Sequence, residues 1–243
     1  MRRLFAVLLT ILLIPALASA DVYIKSKNHT DPVSVAGQNQ PAKDTITEQW
    51  ISDGKVAVIS AANTMIMDLT KNIEYIVNHK TKTYVEAALP MDLSSLLPPE
   101  MAGMLQSLKM TAAVAPANTK RTVGTRSCDE YDVTLTMSIL PLKLKVCSTT
   151  DVPFDLKNYT EKIQPGMQKS QMIGLDDASL KELSKIKGLW IASDTSAEMM
   201  GAKIHSTMEV TEITEKPAPA GVYSIPAGYT KQDKLSLQDL QNQ

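Results

Sequence analysis

Few residues in this sequence could do chemistry, and they are scattered along the chain. The three histidines, His29, His79 and His205, are interpreted as isolated residues in polar loop-like or strand sequence. Because a zinc site needs three or four converging ligands, this pattern predicts no metal site, and the sequence predicts no cofactor. There is also no G-x-S-x-G elbow, no HExxH helix and no glycine-rich loop of the kind that holds phosphates.

Two acidic groups are the remaining candidates for acid–base chemistry. Asp129, Glu130 and Asp132 alternate along a predicted strand, so their carboxylates cannot all converge on one point. Asp176 and Asp177 precede a segment with helical periodicity and are interpreted as a helix cap. Neither group supports catalysis by paired carboxylates, and we therefore expect that this protein is not an enzyme.

Cys128 and Cys147 are the two cysteines of the chain. Cys128 could be a nucleophile, but a second cysteine in similar sequence favours a disulfide in an oxidising compartment. The alternating segments around the two cysteines predict a hairpin that turns near residues 137–141. We therefore expect a disulfide between neighbouring antiparallel strands.

The first twenty residues predict export. Residues 1–3 are basic at two positions, residues 4–17 are almost wholly apolar, and Ala18-Ser19-Ala20 has the pattern that signal peptidase recognises. We expect cleavage between Ala20 and Asp21, with an uncleaved N-terminal anchor as the alternative. No later segment is apolar enough to span a bilayer, which takes roughly 20 residues. The sequence thus predicts a soluble protein of the periplasm or, as a second choice, a secreted one.

The charge balance bears on the partners of the exported chain. Without Arg2 and Arg3, 23 basic residues remain against 26 acidic ones, a net charge of −3. No basic patch stands out along the chain. Because phosphate binding needs clustered Lys and Arg, nucleic acid is not expected as a partner.

Short strands and tight turns dominate the first third of the exported chain. Asp53-Gly54 lies between candidate strands at Thr45–Ile51 and Lys55–Ser60, and it is a strong hairpin signal because both positions tolerate positive φ. Three more candidates follow at roughly ten-residue spacing, which predicts an antiparallel meander. The other expected strands are residues 22–27, 64–68, 73–77, 83–87, 123–138, 142–149, 189–194, 203–214 and 222–229.

Three helices are expected between the groups of strands. Residues 100–110 carry an apolar stripe at i, i+3, i+4 and i+7, formed by Met101, Met104, Leu105 and Leu108. Residues 154–163 predict a second helix that Pro165-Gly166 ends. Residues 178–187 predict a third, with Leu180, Leu183 and Ile186 as its apolar stripe and Gly188 after its last turn.

The element pattern predicts a single domain. No break in composition demands a second one, so we expect one β-rich domain over residues 21–232 and a polar tail or short helix over residues 233–243. The expected fold class is α+β but mainly β, with a large curved antiparallel sheet and helices on one side.

Several segments of the chain form a recognisable series: Thr45–Ile51 with Asp53-Gly54-Lys55, Ile66-Met67-Asp68 and Tyr75, Lys80–Tyr84, Gly124–Tyr131 with its cysteine, and Val222–Tyr229. Together they resemble a bacterial family of periplasmic domains in the LolA-like lipoprotein-carrier superfamily. The resemblance covers most of residues 21–232. It implies an open half-barrel, in which helices pack on the concave side of the sheet and an apolar cavity lies between the layers.

The expected half-barrel is compatible with two functions. The first is a non-catalytic binding protein for a lipid or an acylated ligand such as a lipoprotein, because concave apolar cavities suit acyl chains. Its cavity would be lined by Met101, Met104, Leu105 and Leu108. The alternative is a structural or protein-interaction module of the cell envelope, with a filled core, an envelope protein as partner and no small ligand.

Overall fold

The computed structural model describes residues 20–35, 38–89, 91–98, 102, 109–137, 140–172, 174–199 and 201–236. Within these ranges the chain forms fourteen strands, four α-helical segments and one π-helical turn. The strands are β1 (Asp21–Thr30), β2 (Val33–Val35), β3 (Gln38–Gln40), β4 (Lys43–Ser52), β5 (Lys55–Ile59), β6 (Asn63–Asp68), β7 (Ile73–Asn78), β8 (Thr83–Ala88), β9 (Met110–Val123), β10 (Arg126–Met137), β11 (Leu140–Thr149), β12 (Leu189–Met199), β13 (Ala202–Lys216) and β14 (Thr230–Lys231).

Twelve strands form one large curved sheet, in the order β14-β8-β7-β6-β5-β4-β1-β13-β12-β11-β10-β9. Neighbours run antiparallel except for β14, which runs parallel to β8. The sheet is not closed, since β14 and β9 stand at opposite ends of the order. Strands β2 and β3 form a separate hairpin. The predicted mainly β class with an unclosed antiparallel sheet is therefore confirmed.

The predicted meander is present as β4–β8, and its first turn shows why the sequence signal is strong. Ser52 pairs with Lys55, so Asp53-Gly54 is the two-residue turn. Gly54 has φ +77°, and a Cβ at this position would lie 2.7 Å from the Thr70 hydroxyl. Both its conformation and its surroundings thus favour glycine.

Strand β9 was not predicted. Its sequence is rich in alanine and includes Pro116, which argues against a central strand. The structure places β9 at the end of the sheet, where proline is tolerated because one side of the strand needs no partner. The pairing with β10 is also irregular between Asp129 and Tyr131, and Asn118 nearby has φ +58°.

The second predicted helix continues past its expected end. It consists of α2 (Leu156–Asn158), a π-helical turn (Tyr159–Ile163) and α3 (Gln164–Gln171), which follow one another without a break. Pro165 falls in the first turn of α3, where its missing N–H costs nothing. The π-helical turn lies directly before this proline, and the helix continues through it to Gln171. We call this unit the α2–α3 helix.

The other helices are short. Helix α1 (Leu93–Leu96) was not predicted. Helix α4 (Asp177–Leu183) is shorter than the expected 178–187, and its predicted cap is confirmed because Asp176 accepts a hydrogen bond from the Ser179 amide at 2.7 Å. No helix in the described ranges is long and apolar enough to cross a membrane.

The predicted final strand at residues 222–229 is wrong. This segment forms turns, with Gly221 at φ +84° and Gly228 at φ +83°, and only Thr230–Lys231 pair with the sheet. Pro226 removes one backbone donor from the segment, and the two glycines at positive φ favour turns over a strand. After β14 the chain remains fixed at Leu235, which is 3% exposed and packs among Val85, Leu96 and Leu97.

Along β4–β7, the two sides of the sheet pack against different parts of the chain. Ile51, Val56, Met67 and Glu74 are successive cross-strand partners and therefore share one side, which we call the Ile51 side. Ile51, Val56 and Met67 lie in one core cluster with Tyr159 and Ile163 of the α2–α3 helix.

Trp50 and its cross-strand partners Ala57 and Ile66 share the opposite side, which we call the Trp50 side. They lie in a different cluster, together with Val222, Tyr223 and other residues of the segment before β14. Along β4–β7, apolar side chains are therefore buried on both sides of the sheet.

Across β9–β12 the pattern is one-sided. Val133, Leu135 and Val146 form a buried cluster with Leu183 and Ile186 from α4 and the turn after it. Apart from the buried Cys128–Cys147 disulfide, the alternating residues on the other side of β10 and β11 are mostly polar, as in the exposed ion pair of Lys145 with Asp132 at 3.2 Å. This half of the sheet therefore has one apolar and one polar face, as an antiparallel sheet can have.

Candidate functional site

The sequence-predicted site residues fall into two groups. Met101, Met104, Leu105 and Leu108 lie outside the described residues. Cys128 and Cys147 form the predicted disulfide, with a Cα–Cα distance of 5.4 Å. The register pairs Cys147 with Glu130, so the disulfide joins β10 and β11 diagonally rather than directly across.

The described residues form an apolar cleft between the α2–α3 helix and the segment that contains α4. Its volume is about 470 Å³. Its apolar surface comes from Leu156, Pro165, Leu180 and Ile186. The remaining lining residues are Thr150, Lys157, Thr160, Gln164, Gln168, Ser184, Lys187 and Gly188.

The end of this cleft is fixed to the sheet at Gly188. Gly188 has φ +101°, and a Cβ at this position would collide with the Thr149 carbonyl at the end of β11. The Ser148 hydroxyl lies 2.9 Å from the Lys187 carbonyl and 3.0 Å from the Leu189 carbonyl, either of which can accept its hydrogen bond. Glycine is therefore required where the chain passes from the cleft into β12.

Two lysines stand at the rim of the apolar surface. Lys157 lies on α2 and Lys187 lies after α4, and both residues are exposed. Neither ammonium forms an ion pair with a residue that the structure describes. The cleft thus presents an apolar floor and two positive charges at its edge. The described lining includes no His, Cys, Asp or Glu.

A buried carboxyl group lies behind one wall of the cleft. Glu74 on β7 is 1% exposed, and its Oε1 accepts a short hydrogen bond from the Ser170 hydroxyl on α3. Its Oε2 is buried and has no hydrogen-bond partner among the described residues. Burial raises the pKa of Glu74, because the charged form loses its hydration.

Helix α3 therefore has two distinct faces. Gln164, Pro165 and Gln168 line the cleft. Met167 and Ser170 lie on the opposite face and contact the sheet, where the Gln49 amide donates to the Met167 sulfur at 3.0 Å. Glu74 thus bears on the position of the helix that forms one wall of the cleft.

A chain of hydrogen-bonded histidines and aspartates lies on the Trp50 side of the sheet. His29 Nδ1 is 2.7 Å from Asp44, and His29 Nε2 is 3.1 Å from Asp31. Asp31 is also 2.8 Å from His205 Nδ1, and His205 Nε2 is 3.2 Å from Asp194. We call these five residues the histidine–aspartate chain. The interpretation of His29 and His205 as isolated residues was wrong.

The third histidine holds the C-terminal segment. His79 Nε2 lies 2.8 Å from the Thr64 hydroxyl, and its Nδ1 lies 2.9 Å from the Tyr229 hydroxyl. Tyr229 follows the turn before β14, so His79 links that turn to β6. Among the described residues no group of three or more His, Cys, Asp or Glu has a geometry that could hold a metal ion.

No sequence pattern predicts the cleft, and the only local hint of the histidine–aspartate chain is the two-residue spacing of His29 and Asp31. Leu180 and Ile186 were expected as part of an apolar helical stripe, which usually means core. Asp31 is 174 residues away from His205 in the chain, so only the pairing of β1 with β13 brings them together.

No protein-family model matches this chain, and a search of the curated proteins finds no match. Its function is therefore inferred from the geometry of its own side chains.

Proposed function

We propose that this protein is a non-catalytic periplasmic binding protein that holds the acyl chain of a lipid or an acylated peptide. The observation that carries the proposal is the apolar cleft between the α2–α3 helix and α4. Its volume of about 470 Å³ falls within the range of roughly 300–1,000 Å³ that small-molecule sites occupy. Leu156, Leu180 and Ile186 would contact the hydrocarbon.

The rim of the cleft suits an anionic head group. Lys157 and Lys187 stand beside the apolar floor, and neither is neutralised by an ion pair with a described residue. A carboxylate or phosphate at the end of an acyl chain would complement these ammonium groups. The preferred ligand is therefore a single-chain amphiphile with a negative head.

The chemistry of the lining supports binding rather than catalysis. General acid–base catalysis depends mostly on His, Glu or Asp within hydrogen-bond reach of the reacting group. The described lining of the cleft has none of these residues. Glu74 lies between the sheet and the face of α3 that points away from the cleft. The histidine–aspartate chain lies on the other side of the sheet.

The proposal includes a LolA-like half-barrel in the periplasm, with helices on its concave side. The open twelve-strand order and the clustering of Tyr159 and Ile163 with sheet residues support that fold. The Cys128–Cys147 disulfide supports an oxidising compartment. The signal peptide expected over residues 1–20 would deliver the chain there.

A second candidate is an envelope protein with a filled core and a protein partner. It is favoured by the packing between the helices and the sheet. Tyr159, Ile163, Leu183 and Ile186 are each at most 7% exposed, so their side chains occupy the space that an enclosed ligand would need. The two candidates differ in whether the cleft binds an amphiphile.

Titration with a fluorescent fatty acid distinguishes them. Wild-type protein is expected to bind the probe saturably. Ser184→Trp places an indole in the cleft and should weaken binding about tenfold or more, which corresponds to about 1.4 kcal/mol. Lys181→Trp is the matched control, because Lys181 is exposed on the same helix but does not line the cleft. Absence of saturable binding by the wild type would contradict the carrier function and favour the envelope module.

A further inference from the structure

The histidine–aspartate chain spans four adjacent strands and one connection. Asp44 is on β4, His29 on β1, His205 on β13 and Asp194 on β12, and these strands are neighbours in the sheet. Asp31 lies between β1 and the β2–β3 hairpin, and it contacts both histidines. Asp31 also donates its backbone amide to the His205 carbonyl at 3.0 Å. The start of the hairpin is therefore attached to the sheet through Asp31.

The geometry of the histidine–aspartate chain determines how many protons its two imidazole rings carry. All four ring nitrogens of His29 and His205 lie 2.7–3.2 Å from a carboxylate oxygen. An ionised carboxylate only accepts hydrogen bonds, and a neutral imidazole has one N–H to donate. Four N–H donors are thus needed, and they are present together only when both imidazoles are protonated. Loss of one proton leaves a lone pair facing a carboxylate oxygen.

We propose that the histidine–aspartate chain is a proton-dependent clasp that holds the β2–β3 hairpin against β13. The clasp is closed when His29 and His205 are both imidazolium ions. It loosens when they lose their protons, because each neutral imidazole then has one N–H for two carboxylates and the attraction between the imidazolium charges and Asp31 is lost. The connection from Thr30 to Val33 is the segment that this change releases.

Charged side chains of both signs surround the histidine–aspartate chain. Lys27 on β1 adds a third cation, 3.6 Å from Asp44. His205 also lines a surface groove. The charged residues that share this groove are Lys143 on β11, Glu198 on β12 and Lys203 on β13. Three aspartates and two imidazolium ions give the histidine–aspartate chain a net charge of −1, and Lys27 offsets this charge.

The pKa directions agree with this arrangement. The hydrogen bond to Asp44 raises the pKa of His29, and the hydrogen bond to Asp31 raises the pKa of His205. The same contacts lower the pKa of Asp44 and Asp31. A raised histidine pKa means that the contribution to stability is fully present below the unfolded value of about 6.5 and is lost as pH rises through the folded value.

The test is an NMR titration of the full exported chain between pH 5 and pH 9. We expect both His29 and His205 to titrate above the value of a free imidazole. We also expect the amide protection factors of β2 and β3, corrected for the intrinsic pH dependence of exchange, to fall about fivefold as these histidines deprotonate. That size is typical of losing exposed ion pairs.

Asp31→Asn tests the connection directly. It should lower the pKa of both histidines and make the protection of β2 and β3 independent of pH. Asp132→Asn is the matched control, because Asp132 is an exposed, lysine-paired carboxylate of β10 outside the histidine–aspartate chain. Histidine titration at or below the free value, or hairpin protection that does not change with pH in the wild type, would overturn the proposal.

Discussion

Glu74 and the histidine–aspartate chain place titratable groups on opposite sides of one sheet, in opposite settings. Glu74 is 1% exposed and shares one hydrogen bond with Ser170 on α3. The side chains of the histidine–aspartate chain are 38–57% exposed, and each histidine has two carboxylate partners. Burial controls the first group, and neighbouring charges control the second.

Acidification favours the folded state through both groups, but for different reasons. Protonation removes the charge of Glu74, which its buried position disfavours. Protonation creates charge on His29 and His205, which their aspartate partners favour. The same response to pH can therefore come from desolvation on one side of the sheet and from charge pairing on the other, and the two can be separated by mutation and by salt.

Removing the disulfide should have the largest effect on stability and should leave both pH responses in place. The double variant Cys128→Ala, Cys147→Ala opens a loop with a sequence separation of 19 residues, which should cost about 3 kcal/mol in the chain-entropy model. Urea unfolding at pH 5 and pH 8 measures both quantities. A disulfide variant that lost its pH dependence would show that β10–β11 pairing, rather than local chemistry, sets the response.

Ser170→Ala should have the next largest effect. It removes the one hydrogen bond that the Glu74 carboxyl group makes with a described residue and leaves both carboxyl oxygens buried without a described partner. An unsatisfied buried polar group costs about 1–3 kcal/mol. Thermal unfolding gives the change, and Ser184→Ala, at an exposed position directly after α4, is the control. Equal stability of the two variants would contradict the buried hydrogen bond.

Glu74→Gln should have a smaller effect, which changes with pH. The raised pKa means that the stabilisation from protonated Glu74 is complete below the unfolded value of about 4.3 and is lost as pH rises through the folded value. Relative to the wild type, the glutamine variant should therefore gain stability as the pH increases. Denaturant midpoints measured from pH 4 to pH 9 test this, and a constant difference would mean that Glu74 keeps the same protonation state in both the folded and unfolded chain.

Salt should produce the smallest effect, and it should act on the exposed histidine–aspartate chain rather than on the buried Glu74. The Debye length falls to about 3 Å at 1 M salt, so exposed ion pairs are weakened and buried contacts much less so. We expect 1 M NaCl to lower the pKa of His29 and His205 in NMR titrations. The stability difference between wild type and Glu74→Gln should change little. A large salt effect on that difference would contradict the burial of Glu74.

The sequence predicted the parts of the fold that depend on neighbouring residues. Asp53-Gly54, the β4–β8 meander and the Asp176 cap follow from local turn, strand and capping chemistry. Strand β9 was missed because alanine and Pro116 give no strand signal at a sheet edge. The helix was predicted to end at Pro165 because proline usually ends a helix. The π-helical turn that precedes Pro165 cannot be recognised from the sequence.

The polar groups were missed for a different reason. Asp31 meets His205 only through the pairing of β1 with β13, and Glu74 meets Ser170 only because α3 lies against β7. These contacts link residues 174 and 96 positions apart. No periodicity in the sequence encodes them, since they depend on strand order and helix placement.

The proposed binding site for an acyl chain lies between the α2–α3 helix and α4. Photo-crosslinking with a diazirine-labelled fatty acid, followed by mass-spectrometric mapping of the modified residues, tests both the binding and its location. The proposed function predicts saturable labelling at Leu156, Leu180 and their neighbours in the cleft, competed by unlabelled fatty acid and reduced in Ser184→Trp. Labelling at Met101–Leu108 instead, or no competed labelling at all, would contradict it.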